Sequence, residues 1–326
     1  MRVSNHRHTL PVILTLAVGV TTAGCDQPPD QVSASPVDDR YDVGLTDPAY
    51  YINLGKELRS SNKPNDAIAA YRRAIQIDLG SAEAYHELGN VLSGQRRSEE
   101  AIAAYRRAIQ INPQDATAYD GLGNALSEQK RTEEAIAAYR RAIQVEPQDA
   151  TAYAGLGNAL MEQRRITDAI AVYQQALTLS KQPEHGVNAH TLALVGLGRA
   201  LQAENQLDNA IAMYRRAIQI SPTYTWTYIY LGYALTEQQQ FQEANRNYQH
   251  VLKLPNVKKP KLGDSHALAH NGLGMVLQRQ GKLQPAIQQY EQAVSLDLSY
   301  ETGHKNLKGA KRLFTSQAQR LVPRQA

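Results

Sequence analysis

Residues 116–149 read ATAYDGLGNALSEQKRTEEAIAAYRRAIQVEPQD, and the stretch returns as AEAYHELGNVLSGQRRSEEAIAAYRRAIQINPQD at 82–115 and ATAYAGLGNALMEQRRITDAIAVYQQALTLSKQP at 150–183. Its central Leu-Gly pair recurs in register seven times, with glycines at Gly55, Gly89, Gly123, Gly157, Gly198, Gly232 and Gly274, at intervals of 34, 34, 34, 41, 34 and 42 residues. Self-similarity at such a period marks a stack of supersecondary units rather than one globular core. With this glycine numbered as position 8 of each unit, two columns run without exception. Position 20 is Ala67, Ala101, Ala135, Ala169, Ala210, Ala244 and Ala286, and position 24 is Tyr71, Tyr105, Tyr139, Tyr173, Tyr214, Tyr248 and Tyr290. Glycine or polar residues near position 15 and proline near position 32 (Pro113, Pro147, Pro222) break each unit into two antiparallel helices.

These columns resemble the tetratricopeptide repeat (TPR). The resemblance covers residues 48–300 as seven units: 48–81, 82–115, 116–149, 150–183, 191–224, 225–258 and 267–300. It implies an all-α fold, a right-handed α-solenoid of helix-turn-helix repeats with a C-terminal capping helix. A glycine inside a helix costs about 1 kcal/mol relative to alanine, so its recurrence at position 8 predicts a close approach by another helix. Twelve of the eighteen tyrosines fall at position 24 or at position 4 (Tyr51, Tyr85, Tyr119, Tyr153, Tyr228). They read as core, not as a stacking platform for bases.

Insertions of seven and eight residues lie around Lys181–His190 and Leu254–His266. Seven residues make about two helical turns, so extending the following helix would preserve its face, while Pro255 and Pro260 make the second insertion more loop-like. Residues 301–318 read as a polar capping helix with Lys308 in the glycine column, and 319–326 as a frayed tail.

The amino terminus has a different character. A basic, acid-free start with Arg2 and Arg7 leads into an apolar run from Leu10 to Val20, too short for the roughly 20 residues of a membrane span. It ends Thr22-Ala23-Gly24-Cys25, which resembles the lipobox of bacterial lipoproteins and places the only cysteine where that family is lipidated. Residues 1–24 are thus expected to be a signal peptide. Cys25 would then anchor the chain in the cell envelope, and Asp26 leans toward the inner membrane by the rule of proteobacterial relatives. Residues 25–46, with three prolines and five aspartates against one arginine, read as an acidic tether.

Net charge is +4 overall and +2 without the signal, which gives no argument for nucleic acid. A single cysteine excludes a disulfide framework. No serine, histidine and acid grouping stands outside the repeats, so no enzyme and no cofactor is expected. His266 and His270 share a helix face, but a metal needs further ligands, so no metal is expected either. Arginine pairs at positions 25 and 26 (Arg72 with Arg73, Arg106 with Arg107, Arg140 with Arg141, Arg215 with Arg216) form a ridge best read as a solvated face, and the cap carries the stronger basic cluster.

In the TPR family positions 2, 5, 9, 12 and 13 line a concave groove. By that resemblance the candidate peptide-binding residues are His86, Asn90, Asp120, Asn124 and Asn158, followed by Arg199, Trp226, Ile229, Tyr233 and Met275. The asparagines resemble the ladder in the repeat domain of O-linked N-acetylglucosamine transferases, and an amide able to donate and accept suits an extended peptide backbone. Ile52 and Asp120 stand where the carboxylate-clamp subclass needs lysines, which argues against that ligand. The sole tryptophan, Trp226, is the expected aromatic anchor. The resulting expectation is a membrane-anchored scaffold that binds protein or peptide partners in the cell envelope. The alternative is an accessory subunit of an envelope enzyme or glycosyl-polymer export machine, working through basic surfaces.

Overall fold

The computed structural model describes residues 46–179, 188–259 and 263–321, with side chains as far as residue 317. The signal segment, Cys25 and most of the acidic tether lie outside the described residues, as do the centres of both insertions. Fifteen helices follow one another among the described residues. They are α1 (Pro48–Ser60), α2 (Pro64–Ile77), α3 (Ala82–Gly94), α4 (Ser98–Ile111), α5 (Ala116–Glu128), α6 (Thr132–Val145), α7 (Ala150–Glu162) and α8 (Ile166–Thr178), then α9 (Ala189–Ala203), α10 (Leu207–Ile220), α11 (Thr225–Glu237), α12 (Phe241–Lys253), α13 (Ser265–Arg279), α14 (Leu283–Leu296) and α15 (Glu301–Leu321). Each odd helix up to α13 pairs with the next even one and also meets the following odd helix, which gives a solenoid of TPR helix pairs.

Local chemistry sets where these helices begin and end. The first helices of repeats one to five start at a side-chain cap: Asp47, Ser81, Asp115, Asp149 and Asn188 each accept a hydrogen bond from a backbone N–H of the first turn. Inside each repeat the turn is closed at position 15 by a residue in the left-handed region. Asn62, Arg96, Lys130, Arg164, Asn205 and Gln239 sit at φ of 58–61°, and only the seventh repeat uses glycine there, Gly281 at 77°. The turn is held by backbone bonds such as Arg131 N to Leu126 O at 2.9 Å and Lys130 N to Ser127 O at 3.1 Å, the pattern that satisfies a helix's last carbonyls.

The core is a row of tyrosines between glycines. A Cβ on Gly89 would lie 2.7 Å from the Tyr105 ring, and one on Gly121 would lie 2.6 Å from the other side of the same ring. The glycine at position 8 thus meets the tyrosine of its own repeat. A second glycine column, at position 6 (Gly121, Gly155, Gly196, Gly272), meets the tyrosine of the repeat before. The ring is clamped on both faces, which is why glycine recurs despite its cost in a helix.

The structure corrects several expectations at the insertions and the end. The helix after each insertion gains only two residues, Ala189 and His190 in α9 and Ser265 and His266 in α13, not two turns. Both histidines instead tie back to the preceding helix, His190 Nε2 to Leu179 O at 3.1 Å and His266 Nε2 to Leu254 O at 2.9 Å. The second insertion also forms a small antiparallel ribbon, β1 (Lys258–Lys259) with β2 (Gly263–Asp264). The last helix runs to Leu321, beyond the expected boundary at 318, and its surface is not wholly polar, since Leu313 and Phe314 are exposed. Where leucine replaces the turn proline, Leu79 and Leu298 stand 65% and 78% exposed. No described helix is long and apolar enough to cross a membrane.

Candidate binding groove

Position 9 makes the first decision about the groove, because it lies beside the tyrosine row. In repeats two to four the position-24 hydroxyl donates to the asparagine at position 9: Tyr105 to Asn90, Tyr139 to Asn124 and Tyr173 to Asn158, each at 2.8 Å from Oδ1. Burial drives all three phenols above their ordinary range, so they remain donors at any physiological pH. The asparagine oxygens are therefore committed to the core. The expected two-way ladder is corrected to one whose amide nitrogens alone face outward.

Two of those nitrogens also have partners. Asn124 Nδ2 donates to Asp120 Oδ2 at 3.0 Å, and Asn90 Nδ2 reaches Glu87 Oε2 at 3.4 Å. Asn158 Nδ2 has no side-chain partner among the described residues. Between α3 and α5, His86 Nδ1 lies 3.3 Å from Asp115 Oδ2 and 3.4 Å from Thr117 Oγ1. Burial works to raise the Asp115 carboxyl, but hydrogen bonds from His86, Thr117 and the Ala118 N–H together hold it below the usual carboxylate range.

Asp120 is the outlier of this region. Its Oδ1 is buried without a hydrogen-bond partner, although part of the side chain still reaches the groove. Burial pushes its carboxyl up to about 7, Asp149 adds to the rise, and only the Asn124 amide opposes it.

In the second half of the solenoid the tyrosine hydroxyl turns to position 12: Tyr214 to Gln202 at 3.1 Å, Tyr248 with Thr236 at 3.4 Å and Tyr290 to Gln278 at 2.8 Å. Position 9 is thereby released to Arg199, Tyr233 and Met275. The Arg199 guanidinium lies over the Tyr230 ring, 5.2 Å from its centroid, and Tyr230 stacks on Tyr214 at 6.2 Å. The Tyr233 hydroxyl donates to Leu268 O at 3.5 Å. Near Met275, Asn271 is fully buried and accepts from Asn306 of α15 at 2.8 Å, so the cap closes this end of the groove.

Trp226 and Ile229 are not groove anchors in this structure. They are 2% and 1% exposed, inside the core cluster that α9, α11 and α13 share with Leu194, Val195 and Leu273. The predicted residues thus form two groups. His86, Asn90, Asp120, Asn124 and Asn158 line the accessible polar stretch of α3, α5 and α7. Arg199, Tyr233 and Met275 line a half-buried stretch beside the buried Trp226 and Ile229. Sequence reasoning missed the role of the position-24 hydroxyl and of Tyr230. The fifteen-residue spacing from asparagine to tyrosine, present in repeats two to four and lost afterwards, was the available signal.

Among the described residues, the arginine ridge is tied up in part, at three of its eight residues. Arg72, Arg106 and Arg215 pair with Glu100, Glu134 and Glu243 of the next repeat at 3.3, 3.0 and 2.8 Å. Apart from the second arginines of the ridge, basic residues open to solvent cluster on α15, where Lys305, Lys308 and Arg312 are exposed and Lys311 pairs with Glu291 at 2.8 Å. Among the described residues no group of three or more histidines, cysteines or acids is placed to hold a metal. His270 Nδ1 contacts Gln289 Oε1 at 2.9 Å instead.

No curated protein matches the chain. Among solved structures, a tetratricopeptide repeat protein from Parabacteroides merdae superposes with a TM-score of 0.63 at 15% identity, over 81% of this chain and 98% of that one. A chain of the APC/C hetero-tetramer Cut9–Hcn1 gives 0.64 at 18% identity, over 83% of this chain and 50% of that one. At these identities the likeness establishes the fold alone. Family models described as tetratricopeptide repeat match residues 121–183 and, for a second model, 80–146 and 224–299, while one described as TPR repeat matches 47–95 and 198–239. With the helix pairs, the glycine-clamped tyrosines and these matches along most of its length, the chain belongs to the tetratricopeptide repeat family, whose members are protein-interaction scaffolds and typically not enzymes.

Proposed function

We propose that the protein is a membrane-anchored interaction scaffold, lipidated at Cys25, that holds peptide segments of cell-envelope proteins in the groove of α3, α5 and α7. The observation that carries the reading is the accessible row formed by Asn124, Asn158 and part of Asn90 and Asp120, placed by rigid helices beside a satisfied core. Such a row suits peptide main chain, with amide donors at regular spacing. The anchor is supported by the signal layout and the lone Cys25. One acyl chain holds a protein to a bilayer only marginally, so the two or three chains of the lipoprotein family are what stable attachment requires.

Cys25→Ser followed by membrane fractionation in high salt tests the anchor, with release into the soluble fraction expected. Capture from an envelope extract by the full chain, compared with Asn158→Asp, tests the groove. A partner held equally by both would move binding elsewhere. The second reading, an accessory subunit contacting an anionic polymer, is favoured only by the open basic cluster on α15. Binding through it should weaken steeply with salt.

A further inference from the structure

Among the described residues, two half-buried charged side chains at the groove positions 5 and 9 have no ion-pair partner, and they have opposite sign. Asp120 in the third repeat has one hydrogen bond, from Asn124, where a carboxylate can accept about four. Among the described residues no lysine or arginine pairs with it. Arg199 in the fifth repeat is half-buried and lies over Tyr230, and no acid among the described residues meets its five N–H donors. A guanidinium cannot shed its proton to escape the cost of burial, so that cost remains until an anion arrives.

We propose that the groove is polarised and binds an extended peptide in one direction: a lysine or arginine side chain at Asp120, and a carboxylate of the same peptide at Arg199. The proposal rests on the groove reading above and adds to it the ligand's charge pattern and orientation. The first helices α5, α7 and α9 are consecutive neighbours, and helices pack about 8–10 Å apart, so the two charges are separated by roughly 20 Å. At about 3.3 Å per extended residue, some six residues separate the basic group from the carboxylate.

The acid end also predicts a pH signature. The charged group that bears directly on Asp120 is Asp149 at the cap of α7. The phenols Tyr105 and Tyr139 feel Asp120 and stay neutral, and their other charged neighbours are Glu128 on α5, Glu162 on α7 and Glu87 on α3, the last paired with Arg59 of α1. All but the paired Arg59 are acidic or neutral. A bound cation therefore favours the ionised form of Asp120, and its affinity rises as pH goes from 6 to 8.

The test uses the full chain in detergent and labelled ten-residue peptides of serine and threonine. One carries lysine and a carboxylate in the predicted order, one carries them reversed, and one has glutamine and asparagine in their place. The predicted order should bind at least tenfold more tightly than either of the others. Asp120→Asn should remove the preference for lysine and the rise with pH, while Arg199→Gln removes the preference for the carboxylate. Amidating the peptide's C-terminus while keeping a glutamate side chain distinguishes a terminal from a side-chain carboxylate.

Equal binding of forward and reversed peptides overturns the polarity and leaves the groove reading standing. Absence of binding by every peptide also overturns the polarity, and the envelope capture with Asn158→Asp then decides the groove reading separately. Because the peptide arms run on the unaltered protein, a variant that fails to fold does not protect the proposal.

Discussion

Repeats two to four and repeats five to seven solve one problem in two ways. Each buries a tyrosine hydroxyl that must find an acceptor. The first set takes it from asparagine at position 9 and the second from position 12, one turn farther along the helix. The choice propagates to the surface. Where the acceptor is asparagine, position 9 is fixed by the core and can offer a ligand only its N–H groups. Where the acceptor moves, position 9 is free to become Arg199, Tyr233 or Met275. The first repeat marks what happens when neither site accepts: Lys56 and Arg59 hold positions 9 and 12, and the Tyr71 hydroxyl is buried without a partner, its pKa pushed up to about 12 mainly by burial.

The largest effect should come from the filled half. Trp226→Ala removes a side chain packed among α9, α11 and α13, so it should cost about 3–5 kcal/mol in urea unfolding, as large-to-small changes in a core do. Unchanged unfolding together with lost ligand binding would make Trp226 a contact residue after all and erase the contrast between the halves.

A finer test compares consecutive repeats at the same register. Asn158→Ala strands the Tyr173 hydroxyl and should cost about 1–3 kcal/mol, and adding Tyr173→Phe should recover much of it. In the next repeat the penalty should move to Gln202→Ala, with Arg199→Gln nearly neutral for stability. A double-mutant cycle in which Asn158 and Tyr173 show no coupling would break the rule that position 9 serves the core.

These contrasts also mark how far the sequence carried. The fold was legible because its columns report packing: a glycine that must admit a ring and a tyrosine that fills the gap recur whenever the geometry does. The second glycine column, at position 6, holds in four of the seven repeats, and its partner lies in the preceding repeat, so only the stack reveals it. At the insertions the period itself is lost. The paired histidines His190 and His266, which hold the following helix to the one before, each stand one residue ahead of a repeat and so outside the columns that report packing. The groove was legible as a set of positions but not as a surface. Whether position 2 faces solvent depends on how closely neighbouring first helices approach, and at Trp226 the side chain itself fills that space.

The pH dependence of stability separates the halves again. Asp120 has a folded pKa of about 7 against 3.8 for an ordinary aspartate, so between those values the folded state binds more protons than the unfolded one. Stability from this group is therefore fully present at low pH and declines as pH rises toward 7. Discounted for the solvent that still reaches the carboxyl, the difference between pH 5 and pH 8 should be on the order of 1–2 kcal/mol. Asp115, whose pKa is depressed, stays ionised across that range and adds no slope. Asp120→Asn should accordingly be more stable than the parent protein at pH 8, with the gain shrinking at pH 5. A gain independent of pH would mean that the carboxyl is well solvated.

The smallest effect belongs to the convex face, where the two halves are alike. Arg72 and Arg215 pair with Glu100 and Glu243 of the following repeat, one in each half of the solenoid, with every side chain partly open to water. Exposed pairs of this kind contribute about 0.2–1 kcal/mol and fade with salt. Arg215→Ala and Arg72→Ala should thus each lower stability by no more than that, equally in both halves, and the loss should vanish in half-molar salt. A larger loss at Arg215 that persists in salt would show that packing of its aliphatic stem matters more than its charge. The halves would then differ outside the groove as well as within it. Equal, salt-sensitive losses would confine the difference to the face where the tyrosine acceptor moves from position 9 to position 12.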